Sequence, residues 1–299
     1  DWEFMPETLA EITSEVAARY DGIYVNAPRV TRQSVARADC RVKIFARHGV
    51  GYDSVDVPAM TERGILVTNT PIAVRRPVAV AALTMLFALT GRLFAKDRLT
   101  RAGRWAERTS HMGVGLVGRT LGLVGAGGIG QELLRVAQPF GMRLRVADPY
   151  VDDAALAPLG AKRVELDRLV GEADFVVVTC LLNEETHHLI GAAQFARMKP
   201  TAFFINMARG PVVDEPALIE TLKARRIAGA GIDVFEQEPV DPANPLLGLD
   251  NVIVTPHALC WTDECFHDIA ATGLKSIVDV SLGRRPAHLV DPKAWKAAA

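Results

Sequence analysis

The feature that most restricts this chain is a six-residue turn, Gly125-Ala126-Gly127-Gly128-Ile129-Gly130, between a short apolar run at residues 121–124 and a helix-length stretch. That stretch sets Ile129, Leu133, Val136, Ala137 and Phe140 on one face of a 3.6-residue period. A G-x-G-x-x-G spacing between strand and helix suits a dinucleotide pyrophosphate. Gly125 permits the tight turn, Gly127 removes the Cβ that would obstruct the phosphates, and Gly130 lets helix and strand pack closely. The helix N-terminus, at Gly128 and Ile129, adds amide donors and a partial positive charge. A glycine-rich turn that binds nothing, or one that opens an S-adenosylmethionine site, reads similarly when taken alone. Asp148 narrows the choice. It ends the next apolar run 18 residues past Gly130, close to the ~20 expected of a carboxylate that holds an adenosine ribose. Its charge repels a 2'-phosphate, and Pro149 and Tyr150 bring no compensating cation, so the expected cofactor is NAD rather than NADP.

The same alternation of short apolar runs and amphipathic segments fills the middle of the chain. Strands are expected at residues 121–124, 144–147, 175–180, 202–206, 228–234 and 252–255, which predicts an α/β fold with a doubly wound parallel sheet. Residues 1–70 carry a smaller set, with strands near 22–25 and 43–46 and a helix over 6–19, and predict a separate small domain. Apolar spacing over residues 73–99 predicts one long helix able to cross between two domains. Two domains also fit a length of 299 residues. Residues 296–299 are expected to fray.

Composition excludes several classes. A net charge of -1 gives no basic field for nucleic acid or an acidic membrane. The apolar run at 78–89 falls short of the ~20 residues of a membrane span. Cys40, Cys180, Cys260 and Cys265 form no metal-ligand spacing, so no metal is expected, and a reducing, cytoplasmic setting fits them.

Three segments end consecutive expected strands, where open α/β sheets bind ligands: residues 206–210 with Arg209, residues 231–239 with Asp233, Glu236 and Glu238, and residues 255–257 with His257. A planar guanidinium grips a carboxylate bidentately, a histidine exchanges a proton near neutrality, and a neighbouring carboxylate fixes the tautomer and favours the charged ring. The bland readings stand beside these: a solvated arginine, a structural histidine, an exposed acid, and an aspartate that only caps a turn.

With Arg47-His48-Gly49-Val50-Gly51-Tyr52-Asp53, Thr68-Asn69-Thr70-Pro71, Thr120-Leu121-Gly122-Leu123-Val124-Gly125 and Thr186-His187-His188-Leu189-Ile190 in order along the chain, the sequence closely resembles the D-isomer-specific 2-hydroxyacid dehydrogenases. These include D-3-phosphoglycerate dehydrogenase and the glyoxylate/hydroxypyruvate reductases. The resemblance implies a Rossmann-type NAD-binding domain over residues 71–259 and a smaller flavodoxin-like α/β substrate domain, discontinuous, over 1–70 and 260–299. It implies an NAD-dependent enzyme that interconverts a small 2-oxo acid and its D-2-hydroxy acid.

Carried over by motif, Arg209 binds the substrate carboxylate and polarises the 2-oxo group, His257 is the proton donor, and Glu238 is its paired acid. Glu238 is preferred to Glu236 because it lies 29 residues after Arg209, the family's spacing. Asp233 accepts from the nicotinamide carboxamide, and Cys180 and Ala208 join the glycine turn in lining the cofactor. The Val50 and Gly51 amides cradle the substrate carboxylate. His48 and Tyr52 either touch substrate or pack beneath that loop. A homodimer is implied, with an arm over residues 98–118. The family's corepressors, which use dinucleotide binding to control protein assembly, keep the same triad and are the alternative reading.

Three departures stand out. Gly128 replaces a bulky basic residue, so a side-chain contact to pyrophosphate is lost and weaker cofactor binding is expected. Leu259 and Trp261 follow His257 where small residues are usual, and are expected to reshape a pocket wall. Val80 replaces a glutamate. The chain also enters the pattern late, with residues 1–7 resembling a second strand and its turn, which implies missing N-terminal sequence.

Overall fold

The computed structural model describes residues 1–5 and 9–295, in two units. The expected fraying end at 296–299 lies outside the described residues.

Asp1–Val74 and Thr262–Ala299 form the smaller unit. Its parallel strands β1 (Gly22–Val25), β2 (Ile44–Arg47) and β3 (Leu66–Thr68) pair in sequential order. Ile44, Phe45, Ala46 and all of β3 are buried, as strands covered on both faces must be. The long helix Asp263–Ser281 packs on β1 and β2. Its approach is close enough that a Cβ on Gly22 would lie 2.8 Å from Ile277.

Helix α1 spans only Ser14–Arg19, shorter than the expected 6–19. Ile12 N–H donates to Arg29 O and Ala10 O accepts from Arg29 N–H, which commits residues 10–12 to extended pairing. Thr13 then caps the helix by accepting from Val16 N–H. The strand and turn expected within residues 1–7 are in part outside the described residues, which omit 6–8; residues 1–5 form no strand. Helix α2 (Val57–Glu62) completes the unit's named helices, capped by Asp56.

Arg75–Trp261 form the larger unit. Seven parallel strands run in the order β10-β9-β8-β7-β4-β5-β6. These are β4 (Thr120–Val124), β5 (Arg143–Ala147), β6 (Ala161–Arg163), β7 (Phe175–Val178), β8 (Phe203–Asn206), β9 (Gly229–Ile232) and β10 (Val252–Val254). The six expected strands are present. The seventh, β6, escaped the hydrophobic pattern because it is an edge strand reading Ala-Lys-Arg with only Ala161 buried.

Alternate strand residues feed two apolar layers. Leu121, Leu123, Phe175 and Val177 face α3 (Arg75–Thr90) and α5 (Gly128–Ala137). Val124, Val176 and Val178 join Leu169, Phe195 and Leu218. These last three lie on α7 (Leu166–Glu172), α8 (Ala192–Arg197) and α9 (Glu215–Lys223). The remaining helices are α4 (Leu93–Arg101) and the short α6 (Asp153–Leu156). The strand order reverses between β4 and β7, so their C-terminal ends form the switch point where such sheets take ligands.

The helix expected over 73–99 is broken into α3 and α4, bent by 54°. Thr90 Oγ1 donates back to Leu86 O at 2.8 Å, Gly91 follows, and Arg92 adopts φ 51, a left-handed residue that ends the i to i−4 ladder. Both helices belong to the larger unit. Among the described residues no single helix is long and apolar enough to cross a membrane.

Candidate active site

The glycine turn sits at the switch point as its spacing requires. Gly125 has φ +89, and a Cβ there would lie 2.5 Å from Cys180 Cα. A Cβ on Gly130 would lie 2.3 Å from Gly125 O, while one on Gly127 would meet nothing within 4 Å. The space over Gly127 is therefore open to a ligand. Helix α5 has no side-chain N-cap, so its first-turn donors at Gly128 and Ile129 are left for an anion. Asp148 folds beside the turn, with Oδ2 accepting from Ala126 N–H at 2.7 Å and Oδ1 from Tyr150 N–H at 2.8 Å. These residues fit a dinucleotide. Cys180 closes the turn's far side, and burial pushes its thiol up to about 12, so it stays protonated. Ala208 is buried and donates its N–H to Asn206 Oδ1 at 3.0 Å.

Arg209, Asp233, Glu238 and His257 follow the C-terminal ends of β8, β9 and β10, adjacent parallel strands. Asn206, the last residue of β8, clamps the first of these loops by donating to Arg209 O at 3.0 Å, and Arg209 Nη1 donates to Ala208 O at 2.8 Å. The loop lies so near the next one that a Cβ on Gly210 would fall 1.9 Å from Phe235 C. Only glycine fits there.

His257 Nδ1 meets Glu238 Oε2 at 2.8 Å, and Glu238 Oε1 accepts from Phe235 N–H at 3.0 Å. Burial raises the Glu238 carboxyl, but the His257 hydrogen bond and charge, the Phe235 amide and the Arg209 charge outweigh it and hold the carboxyl below its ordinary value. Glu236, its rival on sequence, goes elsewhere: it pairs with His188 Nε2 at 2.6 Å and accepts from Glu215 N–H.

Asp233 is 3% exposed and organises the histidine loop. Its Oδ1 accepts from Thr255 Oγ1 at 2.6 Å and from the amides of Ala258 and Leu259 at 3.1 and 3.2 Å. His257 N–H donates to Asp233 O at 2.7 Å. These bonds hold His257 at φ 54, a left-handed conformation that costs a non-glycine residue about 1–2 kcal/mol. Asp233 Oδ2 accepts from no described residue, which leaves it for a ligand donor. Asn206 and Thr255, which hold these two loops, are not among the site residues expected from the sequence. Their signal is a polar residue at the end of each apolar run.

Leu259 packs into the apolar layer with α3 and α5, so its bulk is spent on the core. Trp261 is exposed.

In the smaller unit the loop after β2 carries Gly49 at φ +100. Gly49 N–H donates to Thr70 Oγ1 at 3.0 Å, and Asn69 Nδ2 donates to Val50 O at 2.8 Å. The amides of Val50 and Gly51 have no partner among the described residues. His48 packs beneath this loop against Phe266, and its Nδ1 accepts from Tyr24 Oη at 2.6 Å. Burial, with the Arg47 charge, lowers His48 to about 4 and burial raises Tyr24 to about 12, so both are neutral near pH 7. Tyr52, the other residue weighed for substrate contact, is partly buried.

A seven-stranded parallel sheet with an open glycine turn at its switch point, and an arginine, a glutamate and a histidine at neighbouring strand ends, fits a dinucleotide-binding protein of the Rossmann class. The model for the D-isomer specific 2-hydroxyacid dehydrogenase NAD binding domain matches residues 83–258. The chain is 41% identical over 265 residues to the glyoxylate reductase of Korarchaeum cryptofilum, covering 88% of this chain and 80% of that protein. It is 36% identical over 273 residues to the D-3-phosphoglycerate dehydrogenase of Archaeoglobus fulgidus, covering 91% of this chain and 51% of that one. It therefore spans about half the length of that phosphoglycerate enzyme. The D-lactate dehydrogenase of Aquifex aeolicus, solved with NAD and lactic acid, superposes with a TM-score of 0.84 at 26% identity, covering 94% of this chain and 90% of that one. The chain belongs to the D-isomer-specific 2-hydroxyacid dehydrogenase family. It is accordingly an NAD-dependent oxidoreductase that interconverts a 2-oxo acid and its D-2-hydroxy acid.

Proposed function

We propose that this enzyme reduces a small, unphosphorylated 2-oxo acid of the glyoxylate or hydroxypyruvate class, with Arg209, Glu238 and His257 as its catalytic residues. The observation that carries the assignment is the His257 Nδ1–Glu238 Oε2 contact at 2.8 Å. That bond leaves Nε2 as the nitrogen free to carry a proton to the substrate oxygen. Bound NADH supplies the hydride. Arg209 holds the carboxylate and the 2-oxo oxygen, so its fixed charge opposes the negative charge that builds on that oxygen. Glu238 stays ionised and accepts from Nδ1, which fixes the ring so that Nε2 is the nitrogen that donates to the substrate oxygen. Asp233 Oδ2 accepts from the cofactor's carboxamide, while Cys180 and Ala208 line its path. In the smaller unit, the unpartnered amides of Val50 and Gly51 are assigned to a substrate carboxylate. The substrate class follows the likeness to the glyoxylate reductase of Korarchaeum cryptofilum, 41% identical, over that to the phosphoglycerate enzyme, 36% identical.

A panel of glyoxylate, hydroxypyruvate, phosphohydroxypyruvate and pyruvate, followed by NADH oxidation, tests this reading. We expect the highest kcat/KM with glyoxylate or hydroxypyruvate; a preference for phosphohydroxypyruvate would reject the substrate class. Asp148 predicts NADH over NADPH by roughly tenfold or more, the scale of one lost charge-assisted contact. Comparable kcat/KM with both would remove Asp148 from the ribose site.

The larger unit also supports a homodimer. Leu93, Phe94, Trp105, Met112 and Val117 are 47–85% exposed, and the 3₁₀ segment Trp105–His111 buries none of its residues. An apolar surface of this kind suits a second copy of the chain. Light scattering is expected to give twice the 32.4 kDa chain mass, and Trp105→Glu with Met112→Glu to give one; a monomeric parent enzyme would rule the dimer out. The spacing of Cys40, Cys180, Cys260 and Cys265, with no paired or metal-ligand pattern, supports a reducing, cytoplasmic setting.

A further inference from the structure

The glycine turn carries no cation of its own. The space of the side chain that Gly128 lacks is nevertheless filled. A Cβ built on Gly128 would lie 2.4 Å from Arg75 Nε and 2.9 Å from Arg75 Cζ. Arg75 is the first residue of α3, and its guanidinium lies over the start of α5. The placement is enforced one residue further on, where Arg76 Nε pairs with Glu132 Oε1 of α5 at 2.7 Å, and Glu132 also pairs with Arg135. Glu132 is therefore occupied. Arg75 has no hydrogen bond or ion pair with any described residue.

We propose that Arg75 is a pyrophosphate-binding residue, supplying from α3 the cation that position 128 does not. This rests on the dinucleotide occupying the turn. A guanidinium keeps its charge at any working pH and offers a planar fork to phosphate oxygens. The α5 amides bind the same anion from the backbone side, so the two sets converge on one diphosphate. Gly128 is then a requirement of the arrangement, because any side chain there would displace the guanidinium. The loss of cofactor affinity expected from a glycine at 128 is offset.

Equilibrium binding of NADH, ADP and adenosine to the whole protein, followed by fluorescence titration and competition, tests the assignment. Arg75→Ala is expected to weaken NADH and ADP about tenfold, the scale of one exposed charge-assisted contact, and to leave adenosine within about twofold. Arg75→Ala combined with Gly128→Arg is expected to regain most of the loss, since the cation returns from the other side of the same space. NADH binding unchanged in Arg75→Ala would overturn the proposal. So would adenosine weakened as much as ADP, which marks a general loss of structure, or NADPH weakened with NADH spared, which moves the guanidinium to a 2'-phosphate. A parent protein that binds no NADH would instead overturn the reading of the glycine turn, and the proposal with it.

Discussion

In the Arg209→Lys enzyme, kcat/KM for 2-oxo acids falls by about 10²- to 10³-fold, the scale of losing an oriented donor to a developing oxyanion, while the Kd for NADH stays within about twofold. A lysine keeps the charge, so the loss measures geometry. The Arg209 guanidinium is aimed by its bond to Ala208 O and by the Asn206 clamp on its own carbonyl, and an ammonium on a flexible stem cannot reproduce a bidentate fork. Steady-state kinetics paired with NADH fluorescence titration separates the outcomes. Equal losses in both would indicate that the loop had collapsed, because a Cβ at Gly210 already has no room against Phe235. Retained kcat/KM would remove Arg209 from the chemistry.

His257→Ala is expected to cost about 10²- to 10⁴-fold in kcat, the range for general acid catalysis, with cofactor binding retained. Glu238→Gln keeps the volume and the acceptor at Nδ1 but removes the charge. It should cost less than His257→Ala, since the ring keeps an acceptor at Nδ1 and loses only the neighbouring charge. The same variant gives a stability test. The folded carboxyl of Glu238 is held below its ordinary 4.5, so its contribution is present above that value and lost as pH falls through the lower folded value. Denaturant midpoints of parent and Glu238→Gln are expected to differ at pH 7 and to draw together as the pH is taken below the ordinary carboxylate range. A constant difference across that range would mean that Glu238 acts by packing alone. An unchanged reduction rate in His257→Ala would assign the proton to another donor.

Legibility followed sequence distance. The central strands and the glycine turn were readable because each is a local pattern: apolar runs, a fixed glycine spacing, a helical face immediately after. Strand β6 was not, since an edge strand needs few apolar residues. The break after Thr90 was hidden because the apolar repeat continues through it, whereas backbone geometry at Gly91 and Arg92 ended the helix. Helix α1 was overextended for the converse reason: residues 10–12 have helix-compatible side chains, but pairing with Arg29 satisfies their backbone groups better. Asp233 was legible as a site residue, but its larger visible duty, four hydrogen bonds accepted from the histidine loop, three of them by Oδ1, depends on a turn that only folding creates.

What the sequence decided alone was the kind of machine: a strand, a glycine turn and a ribose acid within thirty residues, whose chemistry depends on neighbours along the chain. Folding decided which distant groups meet. β8, β9 and β10 are adjacent and parallel, so their C-terminal ends share one edge, and Arg209, Glu238 and His257 arrive there from three separate loops. Glu238 was separated from Glu236 by hydrogen bonding, as each acid found a different histidine. Arg75, more than fifty residues from Gly128, reaches the turn only because α3 packs on α5. No periodicity or motif encodes that distance, because it is set by the packing of two helices and not by either one.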